Sequence, residues 1–363
     1  MKTVKAVSFS YKPTTKSKEL LETFRMMVNH AIHVCLDEEI KGRLRLRDRI
    51  YKEFKERYGV VSCHPYSIAE VAWSIVKKHK RWHRRPIANR LMMKMDADNY
   101  SLNHSILSLP FKKGERLLIP VEYGEYQRSF LLDETLKRGS MTMTESTIVI
   151  AFSKNTEAVN PLKKLGIDVN EKSAVLSDGS TYDLSEVARL HTEYGLRRRD
   201  FSLRNSRDQR LKRKFSMGSR EKGRVKQFLN RVSKQIVHRA KQSRQAIVLE
   251  RLQGIRYVHQ KGNGKSRASR RRIAQWPFRE LQHQIEYKAG WDGVQVEYVS
   301  PAWTSKVCHM CGLVNRRLKL TEREWRCPSC GATLDRDLNA AINIERRGKI
   351  ACLGEVRPGA RGE

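Results

Sequence analysis

Two pairs of cysteines, Cys308-x2-Cys311 and Cys327-x2-Cys330, stand fifteen residues apart near the C-terminal end of the 363-residue chain. That spacing suits a ribbon in which each pair turns two thiolates toward one ion and a hairpin between the pairs closes a tetrahedral site. Gly312 and Gly331 follow the second cysteine of each pair, where a knuckle turn needs a permissive backbone. Zinc is the expected ion, although iron accepts the same four ligands.

Three carboxylates form the second group. Asp168 closes the apolar run Leu165-Gly-Ile-Asp, Glu250 closes Ile247-Val-Leu-Glu, and Asp337 opens Asp-Leu-Asn-Ala-Ala-Ile-Asn-Ile. A carboxylate beside buried strand residues is costly unless a cation or hydrogen bonds compensate it. Three of them, from separate elements, would satisfy a phosphodiester site with two Mg²⁺ about 4 Å apart, one activating water and one stabilising the leaving oxygen. Each also has a commonplace reading: a helix cap for Asp337, an arginine ion pair for Glu250, a turn former for Asp168. Asp335 rivals Asp337 for the third place.

Charge narrows the partner. Lys and Arg total 73 against 39 Asp and Glu, a net charge of +34. Self-repulsion on that scale destabilises a compact state unless a polyanion neutralises it, and nucleic acid is the commonest polyanion. The excess is concentrated: residues 197–244 carry 18 Lys/Arg and three acids, and residues 77–90 carry seven Lys/Arg and no acid. The second run also holds Trp82, and an aromatic among arginines suits stacking on unpaired bases. The expected contacts are Lys77, Arg81, Trp82, Arg84, Arg85, Arg213, Lys214, Arg220, Arg224, Arg270 and Arg271. No apolar stretch reaches the length of a membrane span, and the N-terminus has no signal-type apolar core. Seven cysteines, four in metal spacing, point to a reducing cytoplasm. Cys35 and Cys63 are expected to be inert, and Cys352 to lie in a tail.

Stepping along the chain, residues 1–12 alternate as a strand, and residues 17–40 carry apolar positions at helical spacing. Helices are expected at 46–58 and from Pro65 onward, and strands at 106–110, 116–121 and 142–152. Asn160-Pro161 marks a boundary. Short strands then follow at 165–169 and 173–176, with basic helices at 186–214 and 219–244 broken at Met217-Gly218. A strand at 246–250, a helix at 271–289 and a strand at 294–299 lead to the ribbon.

The ordered motifs Gly166-Ile-Asp168, Val248-Leu-Glu250-Arg-Leu, Val299-x-Pro301-x-x-Thr304-Ser305-x-x-Cys308-x-x-Cys311-Gly, Cys327-x-x-Cys330-Gly and Asp335-Arg-Asp337-x-Asn339-Ala-Ala-x-Asn343-Ile resemble the TnpB family. These are the RNA-guided nucleases of bacterial and archaeal insertion sequences, similar to compact type V CRISPR effectors. The motifs span residues 166–344. The resemblance implies an α+β multidomain fold: a β-barrel wedge domain (1–14 and 96–158) with a helical recognition insert (15–95), then a RuvC-type, RNase H-like nuclease domain (159–303 and 333–350). A zinc ribbon (304–332) would interrupt the nuclease domain, and 351–363 would be a flexible tail. It implies Asp168, Glu250 and Asp337 as magnesium ligands and the four cysteines as zinc ligands, with Asp337 preferred for its Asp-x-Asn-Ala-Ala setting. It also implies a guide RNA from the transposon end, a double-stranded DNA target with a short flanking motif, and a monomer in the prokaryotic cytoplasm, nucleoid-associated when bound to DNA. Val169-Asn-Glu-Lys172 departs from the Gly-rich turn of many members. The alternatives are a catalytically silent RNA-guided repressor and a zinc-ribbon accessory protein without a guide.

Overall fold

The computed structural model describes residues 2–59, 61–79, 85–204, 207–252, 266, 275–319 and 322–353, with side chains at all of these except 202–204, 207, 208 and 210–215. The chain divides into two compact units, Lys2–Asn155 and Thr156–Glu363.

The first unit is built on a seven-stranded antiparallel sheet. Its strands are β1 (Lys2–Tyr11), β2 (Met92–Met95), β3 (Ser101–Asn103), β4 (Ile106–Lys112), β5 (Glu115–Glu122), β6 (Lys137–Thr144) and β7 (Thr147–Asn155), in the order β2-β6-β7-β1-β5-β4-β3. Pairing runs linearly from β2 to β3. Alternate side chains, among them Phe9, Leu107, Ile119, Met141, Ile148 and Phe152, are buried, which is the period-two pattern of a half-buried sheet. Helices α1 (Thr15–Asp37), α2 (Arg43–Tyr58) and α3 (His64–Lys78) follow β1, and α4 (Glu125–Leu132) follows β5. Thr14 and Ser17 form a capping box that starts α1. Two expectations are corrected. Residues 142–152 fall in a hairpin of β6 and β7 that turns at Glu145-Ser146, and the β-branched residues on either side of the turn read as one continuous strand. Met92–Met95 belongs to the sheet, where it pairs with Met141–Thr144, and not to the helical segment.

The second unit holds a five-stranded mixed sheet in the order β10-β9-β8-β11-β12. Strands β8 (Lys163–Val169), β11 (Gln245–Glu250) and β12 (Val296–Val299) are parallel, while β9 (Ser173–Leu176) and β10 (Thr181–Asp183) continue from β8 as an antiparallel meander. Helices α5 (Ser185–Arg204), α6 (Arg207–Gln242) and α7 (Phe278–Asp292) cover one face. There Leu165, Ile167, Ile247 and Leu249 pack with Val187, Leu229, Ile236 and Leu281. The expected break at Met217-Gly218 does not occur. Helix α6 runs through it, because flanking helix formers outweigh the roughly 1 kcal/mol cost of one glycine. The first part of the expected helix 271–289 lies outside the described residues, and α7 ends three residues later, at Asp292.

The opposite face of this sheet carries α8 (Arg336–Arg347). Contact is at backbone range: a Cβ on Gly166 would lie 2.1 Å from the Ala341 carbonyl and 2.5 Å from the Glu345 nitrogen. Buried Ala340 and Ala341 present no bulk to hold the helix away. Ile344 packs with Val248 and Val299 on the same face. The expected tail begins ordered: the Leu353 amide donates to the Pro161 carbonyl at 2.9 Å and Cys352 is buried.

Gly166→Ala should therefore displace α8 and destabilise the fold by about 1–3 kcal/mol, the usual cost of overpacking. A fall in thermal midpoint with increased proteolysis of the C-terminal segment is the expected result.

Candidate active site and metal centre

Residues along a strand alternate between faces, so Gly166 and Asp168 share one face of β8, and Val248 and Glu250 share one face of β11. The register pairs Gly166 with Val248 and Ile167 with Leu249. Asp168 and Glu250 are thus the next residues on neighbouring parallel strands, facing α8 beyond the apolar layer. Carboxyl ends of parallel strands are where open α/β sheets form binding crevices.

Asp337 reaches that crevice from α8. Strand β14 (Thr333–Asp335) runs directly into the helix, and Asp335 is its N-cap, accepting from the Leu338 amide at 2.7 Å. Asp337, two residues on, acts electrostatically on Asp168. Asp335 is used by the helix as its cap, while Asp337 lies close enough to Asp168 to act on its carboxyl. Burial first, then Glu250 and Asp337, raise the Asp168 carboxyl well above the usual carboxylate range, with Arg336 and Arg323 pulling against them. Burial also raises Glu250, opposed by the Thr304 hydroxyl and Arg347.

Each acid is held by a neighbour. Thr304 Oγ1 donates to Glu250 Oε1 at 2.6 Å, and Gln282 Nε2 donates to the Glu250 carbonyl at 2.7 Å. Arg323 contacts both oxygens of Asp337, at 3.2 and 3.0 Å. Asn170 Nδ2 lies 3.4 Å from Asp168 Oδ2. The arginine expected to pair with Glu250 is replaced in contact by the threonine hydroxyl. An Arg–Asp pair forms instead at Asp337.

The cysteines converge. All four Sγ atoms lie within 4.8 Å of one another, the only such group of His, Cys, Asp or Glu among the described residues. The knuckles repeat one backbone pattern. Gly312 and Gly331 donate to the Cys308 and Cys327 carbonyls, both at 2.9 Å, with φ of 79° and 72° that favour glycine. The Cys330 amide helps lower the Cys327 thiol to about 6, while burial pushes the Cys308 thiol up. Strands β13 (Glu324–Arg326) and β14 close the hairpin over Leu318, Trp325 and Leu334.

Two asparagines join this knuckle to the acid site. Asn339 Oδ1 accepts from the His309 amide at 2.9 Å and its Nδ2 donates to the Val307 carbonyl at 2.8 Å. Asn343, one turn further, donates to the Thr304 and Val307 carbonyls at 2.9 and 2.7 Å. Both are buried. Sequence reasoning quoted Asn343 and Thr304 without assigning them work and passed over Arg323 and Arg347. The i, i+4 spacing of two amides on a small-residue helix was the available signal for the asparagines.

Among the expected nucleic-acid contacts, Lys77, Arg220 and Arg224 are exposed, with Arg224 lying 5.9 Å from the Tyr194 ring centroid. Arg85 is committed to an ion pair with Asp37 at 2.6 Å. Arg81, Trp82, Arg84, Arg270 and Arg271, and the side chains of Arg213 and Lys214, lie outside the described residues. Among the described residues no helix is long and apolar enough to cross a membrane.

Residues 278–344, from α7 into α8, match the family model for the Cas12f1-like TNB domain. The chain is 32% identical over 248 residues to a TnpB-like protein of Methanocaldococcus jannaschii, an alignment covering 64% of this chain and 86% of that one. It is 27% identical over 251 residues to the CRISPR-associated endodeoxyribonuclease Cas12f1 of an uncultured archaeon, covering 61% of this chain and 45% of that one. The fold resembles Cas12f1 in a cryo-EM structure of its complex with sgRNA and target DNA, with a TM-score of 0.59 at 15% identity, over 91% of this chain and 81% of that one.

Asn343→Ala leaves the Thr304 and Val307 carbonyls without this donor. A loss of about 1–3 kcal/mol, the cost of unsatisfied buried polar groups, should appear as a lowered thermal midpoint.

Proposed function

The chain belongs to the TnpB-like family, and on that premise we propose that it is an RNA-guided DNA endonuclease of an insertion sequence. One RuvC-type site would cut both strands of a DNA target beside a short flanking motif. The observation that carries this reading is the convergence of Asp168, Glu250 and Asp337 beyond the apolar layer of one sheet face, with Asp168 under the charge of the other two. A buried carboxylate that bears the charge of two other acids fits a divalent cation and is poorly suited to standing alone.

In this reading the three acids hold two Mg²⁺, which supply an activated water and stabilise the departing oxygen when bound. Thr304 orients Glu250 by donating to one of its oxygens. Arg323 balances Asp337 and, being 61% exposed in its side chain, can turn to a backbone phosphate. The four thiolates hold Zn²⁺, and the ribbon is fixed beside the acids through Asn339 and Asn343. The exposed basic faces of α3 and α6 hold guide RNA and the heteroduplex through phosphates, so target sequence is read by base pairing. The Lys2–Asn155 unit serves as wedge and recognition domain for the flanking motif, and Thr156 onward carries the RNase H-like nuclease. Retention of all three acids favours a nuclease over a silent repressor.

Protein purified with RNA co-expressed from the DNA flanking its gene, given Mg²⁺ and a plasmid library with a guide-matched target and randomised flank, should make double-strand breaks at one subset of flanks. Asp168→Ala and Asp337→Ala should each lower the rate roughly 10³-fold or more. Asp335→Ala should keep cutting while losing about 0.5–2 kcal/mol of stability as a lost cap. Binding of the subset without cutting by wild type would instead identify a guided repressor.

Elemental analysis should find one zinc per chain. Cys308→Ser should lose that zinc and lower the thermal midpoint, since a structural zinc supplies folding energy. A folded, fully active variant would exclude the structural assignment.

A further inference from the structure

Trp303 is an indole that the core does not use. It is 52% exposed, and its φ of 66° lies in the left-handed region, where a bulky side chain is a true outlier. Strain of this kind persists only where the surroundings over-determine it, and it gathers at ligand clamps and active sites. The surroundings here do so from several sides. The Trp303 carbonyl accepts from the Lys306 and Val307 amides, both at 3.0 Å. Arg347 donates to the Ser300 and Ala302 carbonyls at 3.0 and 2.6 Å. The next residue, Thr304, is buried and holds Glu250, while Asn343 holds the Thr304 carbonyl. A segment fastened this tightly, beside an acid of the site, therefore presents one large aromatic side chain to solvent. Lys306 Nζ sits 5.8 Å from the ring centroid and donates to the Arg316 carbonyl at 3.2 Å, so a cation stands beside the indole.

We propose that Trp303 is a stacking platform for an unpaired base of the single DNA strand that enters the carboxylate site, and so a substrate-positioning residue. This rests on the endonuclease reading. A π-face accepts any base, so the contact is sequence-tolerant and holds the strand in register with the acids without selecting a sequence. A rigid, strained platform also loses little freedom when the strand binds.

Trp303→Ala and Trp303→Phe, purified with the co-expressed RNA, test the proposal by two readouts. In cleavage of the guide-matched plasmid, Trp303→Ala should slow cutting about 10- to 100-fold, with zinc content and thermal midpoint retained. Trp303→Phe should stay within about threefold of wild type, because it keeps a π-face. In the second readout, a single-stranded oligodeoxynucleotide carrying 2-aminopurine should be quenched by wild type and Trp303→Phe but not by Trp303→Ala. Equal quenching and equal cutting by Trp303→Ala would overturn the proposal, as would a cutting defect in Trp303→Ala with quenching unchanged, which marks a structural role. If wild type fails to cut any flank yet quenches in a Trp303-dependent way, the endonuclease reading fails and the stacking site stands. Quenching of an oligoribonucleotide alone would overturn the assignment to DNA.

Discussion

The second unit depends on a helix lying against a strand at backbone distance. With no Cβ at Gly166, α8 sits on β8 so closely that the Ala341 carbonyl occupies the space a side chain would need. Everything at the site follows from that contact. It sets the height of α8 over the sheet, and hence how near Asp337 comes to Asp168. It also explains the paired alanines: at this separation each extra methylene would push the helix outward, and packed interiors transmit such strain rather than absorbing it.

The same helix carries a second constraint into the site. Asn339 and Asn343, one turn apart, face the first cysteine knuckle and satisfy its backbone groups. The knuckle in turn positions Thr304, whose hydroxyl orients Glu250. The cysteine hairpin, the helix and the sheet thus form one hydrogen-bonded chain that runs from the four cysteines to the carboxylates. A ribbon that only needed to fold would not require buried amides directed at its turn, since buried polar groups cost stability unless fully paired.

Electrostatics distinguishes this site from ordinary capping. Asp335 performs the local task of a helix N-cap, and its carboxylate is satisfied by an amide. Asp337, in the first turn of the same helix, pairs with the exposed Arg323. Asp168 bears the charge of both other acids. Burial and two neighbouring acids outweigh the pull of Arg336 and Arg323 on Asp168, a balance that a bound cation would relieve.

Much of this was legible in sequence for reasons of short range. Cysteine spacing determines which thiolates can face one ion, so the quartet and its glycine turns could be named from positions alone. The parallel strands ending in Asp168 and Glu250 are apolar runs with a terminal acid, a pattern that burial dictates. Helical periodicity placed α1 to α3 and the start of α8. What only the tertiary structure decided were relations between distant segments. Sequence preferred Asp337 to Asp335 for its Asp-x-Asn-Ala-Ala setting, and the structure adds that Asp335 caps the helix while Asp337 acts on Asp168. It placed β2 in the helical region because a strand's membership depends on its partner, Met141–Thr144, some fifty residues away. It broke α6 at a glycine whose cost the rest of the helix outweighs. The clamps Thr304–Glu250 and Arg323–Asp337 and the left-handed turn at Trp303 were equally hidden, since hydrogen bonds across 54 and 14 residues and a single strained dihedral are set by packing geometry and leave no periodic trace in the chain.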